Sequence, residues 1–347
     1  MRRVKIIIMI FIISVYLTGC YDNREIDTLA TVMAVGIENG DRNDEKLYTF
    51  ALSDTGSLKS KSSGDGTALI CCSQSGRDLR SAIFEIDKKI SKNLSFSHIS
   101  AIIFSQEVAG AGMYDDLSFF ESNSKVRPQV IVALSEISPK KYLEALNPEL
   151  EANPEKYFRS IFEKSRSYVA NMSLRTFTDS YHTGETVVAP VIAGKEKAKE
   201  LKEEDAAISS AGIIHEARLV QKLSNDAYGG LLFSEKNVRI NNIIVRNIKK
   251  PRVEVELSQS KIKVNVILNL KSHGKVNAGA LSKRLETFLE DYAKKGIDVL
   301  NVKKYLKKEL FTFKAYNKLK EEEIMKNTEF NVNIILREGD LKWVGKY

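Results

Sequence analysis

From Lys261 to Leu270 apolar side chains fall at every second position, at Ile262, Val264, Val266, Leu268 and Leu270, with Lys263, Asn265 and Asn269 between them. Successive side chains of an extended chain point to opposite faces. The segment is therefore a strand with one buried and one wetted face, and it demands a sheet covered on one side. Arg252 to Gln259 repeats the pattern, with Val253, Val255 and Leu257 set against Arg252, Glu254 and Glu256. Phe330, Val332, Ile334 and Leu336 form a final alternating strand. Between them a long helical region runs from about Ala278 to Lys308, its first stripe being Leu281, Leu285, Leu289 and Tyr292. Gly296 marks a kink or break in it, and Leu306, Leu310 and Phe313 open another helical patch. A C-terminal α+β domain over 250–347 follows from this.

The N-terminal half has a different signature. Thr28 to Glu38 is apolar or small on both faces, which predicts a central, buried strand with Ala30, Val32, Ala34 and Gly36 on one side and Leu29, Thr31, Met33, Val35 and Ile37 on the other. Asn39-Gly40-Asp41 reads as a turn and Lys46 to Ser53 as a strand able to pair with the first. Thr67 to Ser73, His98 to Phe104, Gln129 to Ser135 and Val187 to Ile192 read as further strands. Helical patterns lie at Leu79, Ile83, Ile86 and Ile90, over 106–121, and across 139–182, where Pro148 and Pro154 divide them. Residues 57–66 and 195–204 read as loops, and Ala206 to Lys222 as a hairpin. A short helix from Ser224 and a strand pair within 236–247 complete the pass. The fold class expected is α+β and multi-domain, with mixed or antiparallel sheets and packed helices. The units are an N-terminal domain over 28–198, with a helical extension from about 139, a small middle domain over 199–249, and the C-terminal domain.

The first 19 residues stand apart. Arg2, Arg3 and Lys5 precede the apolar run from Ile6 to Leu17, which is shorter than the roughly 20 residues a membrane-spanning helix needs. The run ends in Leu17-Thr18-Gly19-Cys20, small residues before a cysteine, and resembles a bacterial lipobox. Residues 1–19 are read as a signal peptide, Cys20 as the lipid attachment site and residues 20–27 as a lipidated linker. Each buried methylene of the acyl chains contributes ~0.8 kcal/mol, and two chains hold firmly where one is marginal. This places the chain on the outer face of a cytoplasmic membrane.

Hydrophobic residues make up 43% of the 347, which excludes a disordered chain, and the 328 left after cleavage suffice for two or three domains. The formal charge of +8 falls to +5 once Arg2, Arg3 and Lys5 leave, an excess suited to an anionic lipid surface. Glutamates interrupt the basic run at Lys195, Lys197 and Lys199, and no basic patch alternates with exposed aromatics, so nucleic acid is not an expected partner. Cys71 and Cys72 are adjacent, would face opposite ways in a strand, and read as structural. His98 reads as a packing or hydrogen-bonding histidine, Asp115-Asp116 as a solvated helix face, and His182-Thr183-Gly184 as a loop or helix cap. There is no G-x-S-x-G elbow, no phosphate-binding glycine loop and no H-E-x-x-H. No enzymatic activity, cofactor or metal is expected.

Behind the lipobox, Cys20-Tyr21-Asp22-Asn23-Arg24-Glu25-Ile26 resembles the Cys-Trp-Asp-x-Arg-Glu-hydrophobic opening of the Ger(x)C family, with Tyr21 in the tryptophan position and Asp22, Arg24 and Glu25 in place. Val35-Gly36-Ile37-Glu38 resembles the family's Gly-Ile-Asp strand end, with glutamate for aspartate. Ser97-His98-Ile99 through Phe104, then Gly110, and Asn123 to Val132 with Arg127, resemble later family segments. Gly296 to Leu300 stands where many members carry Gly-Phe-Gly, and no Tyr-Pro pair occurs. The resemblance implies a non-catalytic C subunit of a spore germinant receptor, on the outer face of the spore inner membrane. It further implies two polytopic partner subunits, one channel-like and one transporter-like, and a role in nutrient-triggered germination. The rival class is a stand-alone solute-binding lipoprotein or a cell-wall enzyme.

Overall fold

The computed structural model of the chain describes residues 29–53, 69–146, 172–192, 208–223, 227–233, 237–240, 243–258, 261–309 and 321–339. The signal peptide, Leu17 to Cys20, the motif residues Tyr21, Asp22, Arg24 and Glu25, and the segments 57–66 and 195–204 lie outside these.

Nine strands form the first sheet. They are β1 (Leu29–Asn39), β2 (Lys46–Ser53), β3 (Leu69–Gly76), β4 (Asn93–Ser95), β5 (Ala101–Ser105), β6 (Ile131–Ser135), β7 (Val187–Ile192), β8 (Ile208–His215) and β9 (Arg218–Leu223). Their order is β3-β2-β1-β5-β6-β7-β8-β9, with the short β4 also pairing β1. β1, β5, β6 and β7 run parallel, and antiparallel hairpins close both edges. The sheet is mixed and both faces of its centre are buried. On one face Val35, Ile37, Phe50, Phe104 and Leu134 pack beneath helices α1 (Leu79–Asp87), α2 (Gln106–Ala111), α3 (Tyr114–Ser122) and α5 (Leu174–Thr183). On the other, Met33, Ala51, Ile103 and Ala133 pack against Tyr142 and Leu143 of α4 (Pro139–Glu144).

β1 departs from the simple alternation expected of it. Its pairing with β2 shifts register between Val32 and Ala34. Such a bulge inserts one extra residue and reverses the facing of everything after it. Ala30 and Val32 therefore share a face with Val35 and Ile37, while Met33 and Ala34 face the other way. Gly36 lies on the α4 side, where an added Cβ would stand 2.9 Å from Pro139 Cβ. The helical pattern over 106–121 is two helices, broken at Gly112, whose φ of 138° suits glycine.

Five strands form the second sheet: β10 (Asn237–Ile240), β11 (Ile243–Asn247), β12 (Arg252–Ser258), β13 (Lys261–His273) and β14 (Thr328–Glu338). β13 is its spine. β11 and β12 pair antiparallel along one side of β13 and β14 parallel along the other. Helices α6 (Ala227–Phe233), α7 (Ala278–Lys294), α8 (Val302–Glu309) and α9 (Glu321–Lys326) supply the apolar layer, burying Val264, Val266, Leu268 and Leu270. The opposite face carries Lys263, Asn265, Ile267 and Asn269, as the alternation requires. The outer edge of β14 is closed by α7: Glu286 accepts the Val332 amide at 2.9 Å, and Ser282 donates to the Val332 carbonyl. An edge so capped offers no free ladder to another strand at that point.

The segment 199–249, expected as a small middle domain, is divided between the two sheets. β8 and β9 extend the first, and β10 and β11 join the second. Hydrophobic pattern alone does not choose a partner, because pairing is decided by which sheet edge the chain reaches. The two bodies meet where Ala211, Ile213 and Leu223 pack on Tyr292 and Val299. Asn301 clamps this junction: its Oδ1 accepts the Thr186 amide at 2.7 Å and its Nδ2 donates to the Thr186 carbonyl at 3.0 Å. Asn301 holds a left-handed φ of 55°, which asparagine tolerates better than most residues.

Candidate functional site

A charged cleft of the first body lies where the ends of β2, α1 and α3 meet. Lys46 and Tyr48 are two residues apart on β2 and so share a face. Both reach Asp116 in the first turn of α3: Lys46 Nζ lies 2.6 Å from Oδ2, and Tyr48 donates its hydroxyl to Oδ1 at 2.8 Å. Asp116 is only 2% exposed, which overturns its reading as part of a solvated helix face. A buried carboxylate needs partners, and both of its oxygens have one. Its place in a helix's first turn adds favourable alignment with the helix dipole. Burial, with Asp116 beside it, pushes the Tyr48 hydroxyl far above its ordinary range, so it remains a protonated donor.

Arg77, Asp78 and Arg80 close the other side of this cleft of about 310 Å³. Asp78 caps α1 by accepting the Ser81 amide at 2.7 Å, while the Ser81 hydroxyl accepts the Asp78 amide at 3.2 Å. The Ser81 amide holds the Asp78 carboxyl below its usual value. A second cleft of about 410 Å³ adjoins, reaching Leu29, Phe96 and Lys125. Arg80 and Phe119 border both, with the guanidinium 5.2 Å from the ring centroid. The arrangement can hold charged groups. Its lining balances Lys46, Arg77 and Arg80 against Asp78, Asp115 and Asp116.

The residues singled out in sequence are dispersed. Glu38 ends β1 and fixes α4: it accepts from the Ser138 hydroxyl at 2.8 Å and from the Lys140 amide at 2.9 Å. His98 is exposed in the turn before β5, and Arg127 is exposed before β6. His182 ends α5, and Gly184 caps it with a φ of 69°. Asp298, within the Gly296 to Leu300 segment, is 3% exposed and caps α8 through the amides of Val302 and Lys303 at 2.8 and 3.0 Å. Cys71 and Cys72 are free thiols packed on opposite faces of the first sheet. Burial, with smaller help from Glu144 and Cys72, pushes the Cys71 thiol up to about 11, and burial raises Cys72 as well. Neither is an activated thiolate at neutral pH. Among the described residues, no group of three or more His, Cys, Asp or Glu could hold a metal, and no helix is long and apolar enough to cross a membrane.

The chain is related to the Ger(x)C spore germination proteins, on the matches that follow. Residues 22–193 match the family described as the spore germination protein N-terminal domain. The chain is 25% identical over 114 residues to Spore germination protein KC of Bacillus subtilis (strain 168), a match covering 31% of this chain and 27% of that relative's length. It is 22% identical over 300 residues to YfkR of the same strain, covering 85% of this chain and 74% of YfkR. The crystal structure of the GerBC protein has a similar fold, with a TM-score of 0.50 and 12% identity, over 88% of this chain and 97% of that one.

Proposed function

We propose that the chain is a lipid-anchored accessory subunit of a nutrient germinant receptor complex, needed for nutrient-triggered spore germination. In this reading Cys20 carries the lipid on the outer face of the spore inner membrane. Two polytopic subunits, one channel-like and one transporter-like, are its partners. The observation that most supports the reading is the spore germination family match over residues 22–193, beginning just behind the lipobox. The subunit acts by docking and positioning rather than by catalysis. In support, the charged cluster Lys46–Asp116–Tyr48 is a satisfied internal network.

The test deletes the gene and measures germination across a panel of nutrients, alongside a Cys20→Ala strain. The expected result is loss of response to at least one nutrient on deletion, and loss of metabolic lipid labelling in Cys20→Ala. Unchanged germination on every nutrient, with no second copy of the gene, would sink the receptor role. A pull-down after gentle solubilisation that recovers no polytopic protein would sink the partner assignment.

A further inference from the structure

The wetted face of the second sheet is graded along its strands. At one end opposite charges stand together: Arg252 Nη2 lies 2.8 Å from Glu254 Oε1, and Lys261 pairs with Glu329. At the other end the registers place Arg246 beside Lys271 and Lys271 beside Arg337, on three adjacent strands. Neighbouring strands are about 4.8 Å apart, so the three backbones span roughly 10 Å. The next row along, Asn269 with Ile335, is joined by Ile248, whose amide bonds the Asn269 carbonyl. The row beyond the cations pairs Ile244 with His273. Among the described residues that these registers pair in the three rows, none is a carboxylate. Ile248 is 44% and Ile335 50% exposed, so apolar side chains flank the cations on the open surface.

The same bias runs through the whole second body. Residues 227–347 hold 25 Lys and Arg against 14 Asp and Glu, whereas residues 20–226 hold 25 against 31. Position adds to charge. β1, β5, β6 and β7 are parallel, so Leu29 and Val187 start at the same end of the first sheet. The second body is clamped at Thr186, next to Val187. Leu29, at that end, follows the expected lipid site Cys20 by nine residues, and nine residues reach at most about 30 Å.

We propose that the open face of the second sheet, at the end bearing Arg246, Lys271 and Arg337, rests on the surface of an anionic lipid bilayer. The proposal builds on the lipid-anchor reading of Cys20, which puts a bilayer within reach of this body. A flat row of cations beside exposed isoleucines complements a plane of anionic headgroups over an apolar interior. The acyl group then supplies attachment and the sheet face supplies orientation, setting how the first body stands above the membrane.

The test uses the mature chain, residues 21–347, made without acyl groups, and co-sedimentation with vesicles. One set contains phosphatidylglycerol with phosphatidylcholine, the other phosphatidylcholine alone. Binding is expected to the anionic set only, and to weaken several-fold as salt shortens the Debye length from about 10 Å toward 3 Å. The triple variant Arg246→Glu, Lys271→Glu, Arg337→Glu should bind about 100-fold more weakly, from ~1 kcal/mol for each cation lost and a factor of ten per 1.4 kcal/mol. The three glutamine substitutions test the same face with less risk to folding, checked by circular dichroism. The charge-matched control Lys88→Glu, Lys89→Glu, Lys141→Glu, on the first body, should bind like the unaltered chain. Failure to bind the anionic vesicles, undiminished binding by both the glutamate and glutamine sets, or equal loss in the control would each overturn the proposal. Absent vesicle binding together with lost germination in the triple variant would assign the face to an acidic protein segment instead. Because the chain lacks acyl groups, none of these outcomes bears on Cys20, whose lipid labelling is read separately.

Discussion

The two bodies solve the same problem, burying a sheet, in different ways. The first covers both faces of its centre, so β1, β5 and β6 are apolar or small over most of their length, and the net side-chain charge of residues 20–226 is negative. The second covers one face, its strands alternate, and it holds an excess of 11 cations, 25 against 14 over residues 227–347. A two-sided sheet has no surface of its own to offer and presents only helices, loops and clefts. A one-sided sheet retains a broad flat face, free to evolve charge without disturbing its core.

Truncation should expose this difference. Ile103→Ala removes a fully buried side chain from the α4 face of the first sheet and should cost about 3 kcal/mol in urea unfolding. Asp116→Ala in the same body should cost a similar amount, about 3 kcal/mol, because it strands Lys46 and the Tyr48 hydroxyl. Asn301→Ala should cost about 1–2 kcal/mol through its two hydrogen bonds to Thr186. It should also speed hydrogen exchange at the Thr186 amide, and unchanged exchange would mean that the apolar contacts alone join the bodies.

Asp78→Ala should cost about 1 kcal/mol at pH 7 as a lost helix cap. The Asp78 carboxyl titrates below its usual value when folded, so its contribution is present above about pH 4 and is lost as pH falls through the lowered value. The gap between Asp78→Ala and the unaltered chain should therefore close in acid. A gap that stayed constant to pH 2 would show that the charge of the cap is immaterial. The smallest effect belongs to the open face: Ile335→Ala should change stability by no more than about 0.5 kcal/mol. A cost near that of Ile103→Ala would show that this face is covered, erasing the contrast between the sheets.

Much of this was legible in the residues. Strands announce themselves by period, and β2, β7, β12, β13 and β14 fall close to where alternation or apolar runs put them. Gly296, with its φ of 75°, does end the first part of the long helical region, and α8 begins afresh at Val302 behind the Asp298 cap. Asp116 was misread because Asp115-Asp116 looks polar in isolation. Its four-residue spacing from the buried Phe120 is the signal that it shares an inward face. The two-residue reach of Lys46 and Tyr48 toward it depends on how β2 lies against α3, 70 positions away in the chain.

By itself the sequence determined the α+β class, the two kinds of strand, the adjacent thiols facing opposite ways, and the residues of the family resemblance. These depend on local periodicity and on residue types in order, which the chain carries without folding. The tertiary structure decided the rest. It placed the bulge that turns β1 over, the division of 199–249 between two sheets, the Asn301 clamp, and the alignment of Arg246, Lys271 and Arg337. Each depends on register between segments distant in the chain, and register is set by packing the whole core at once.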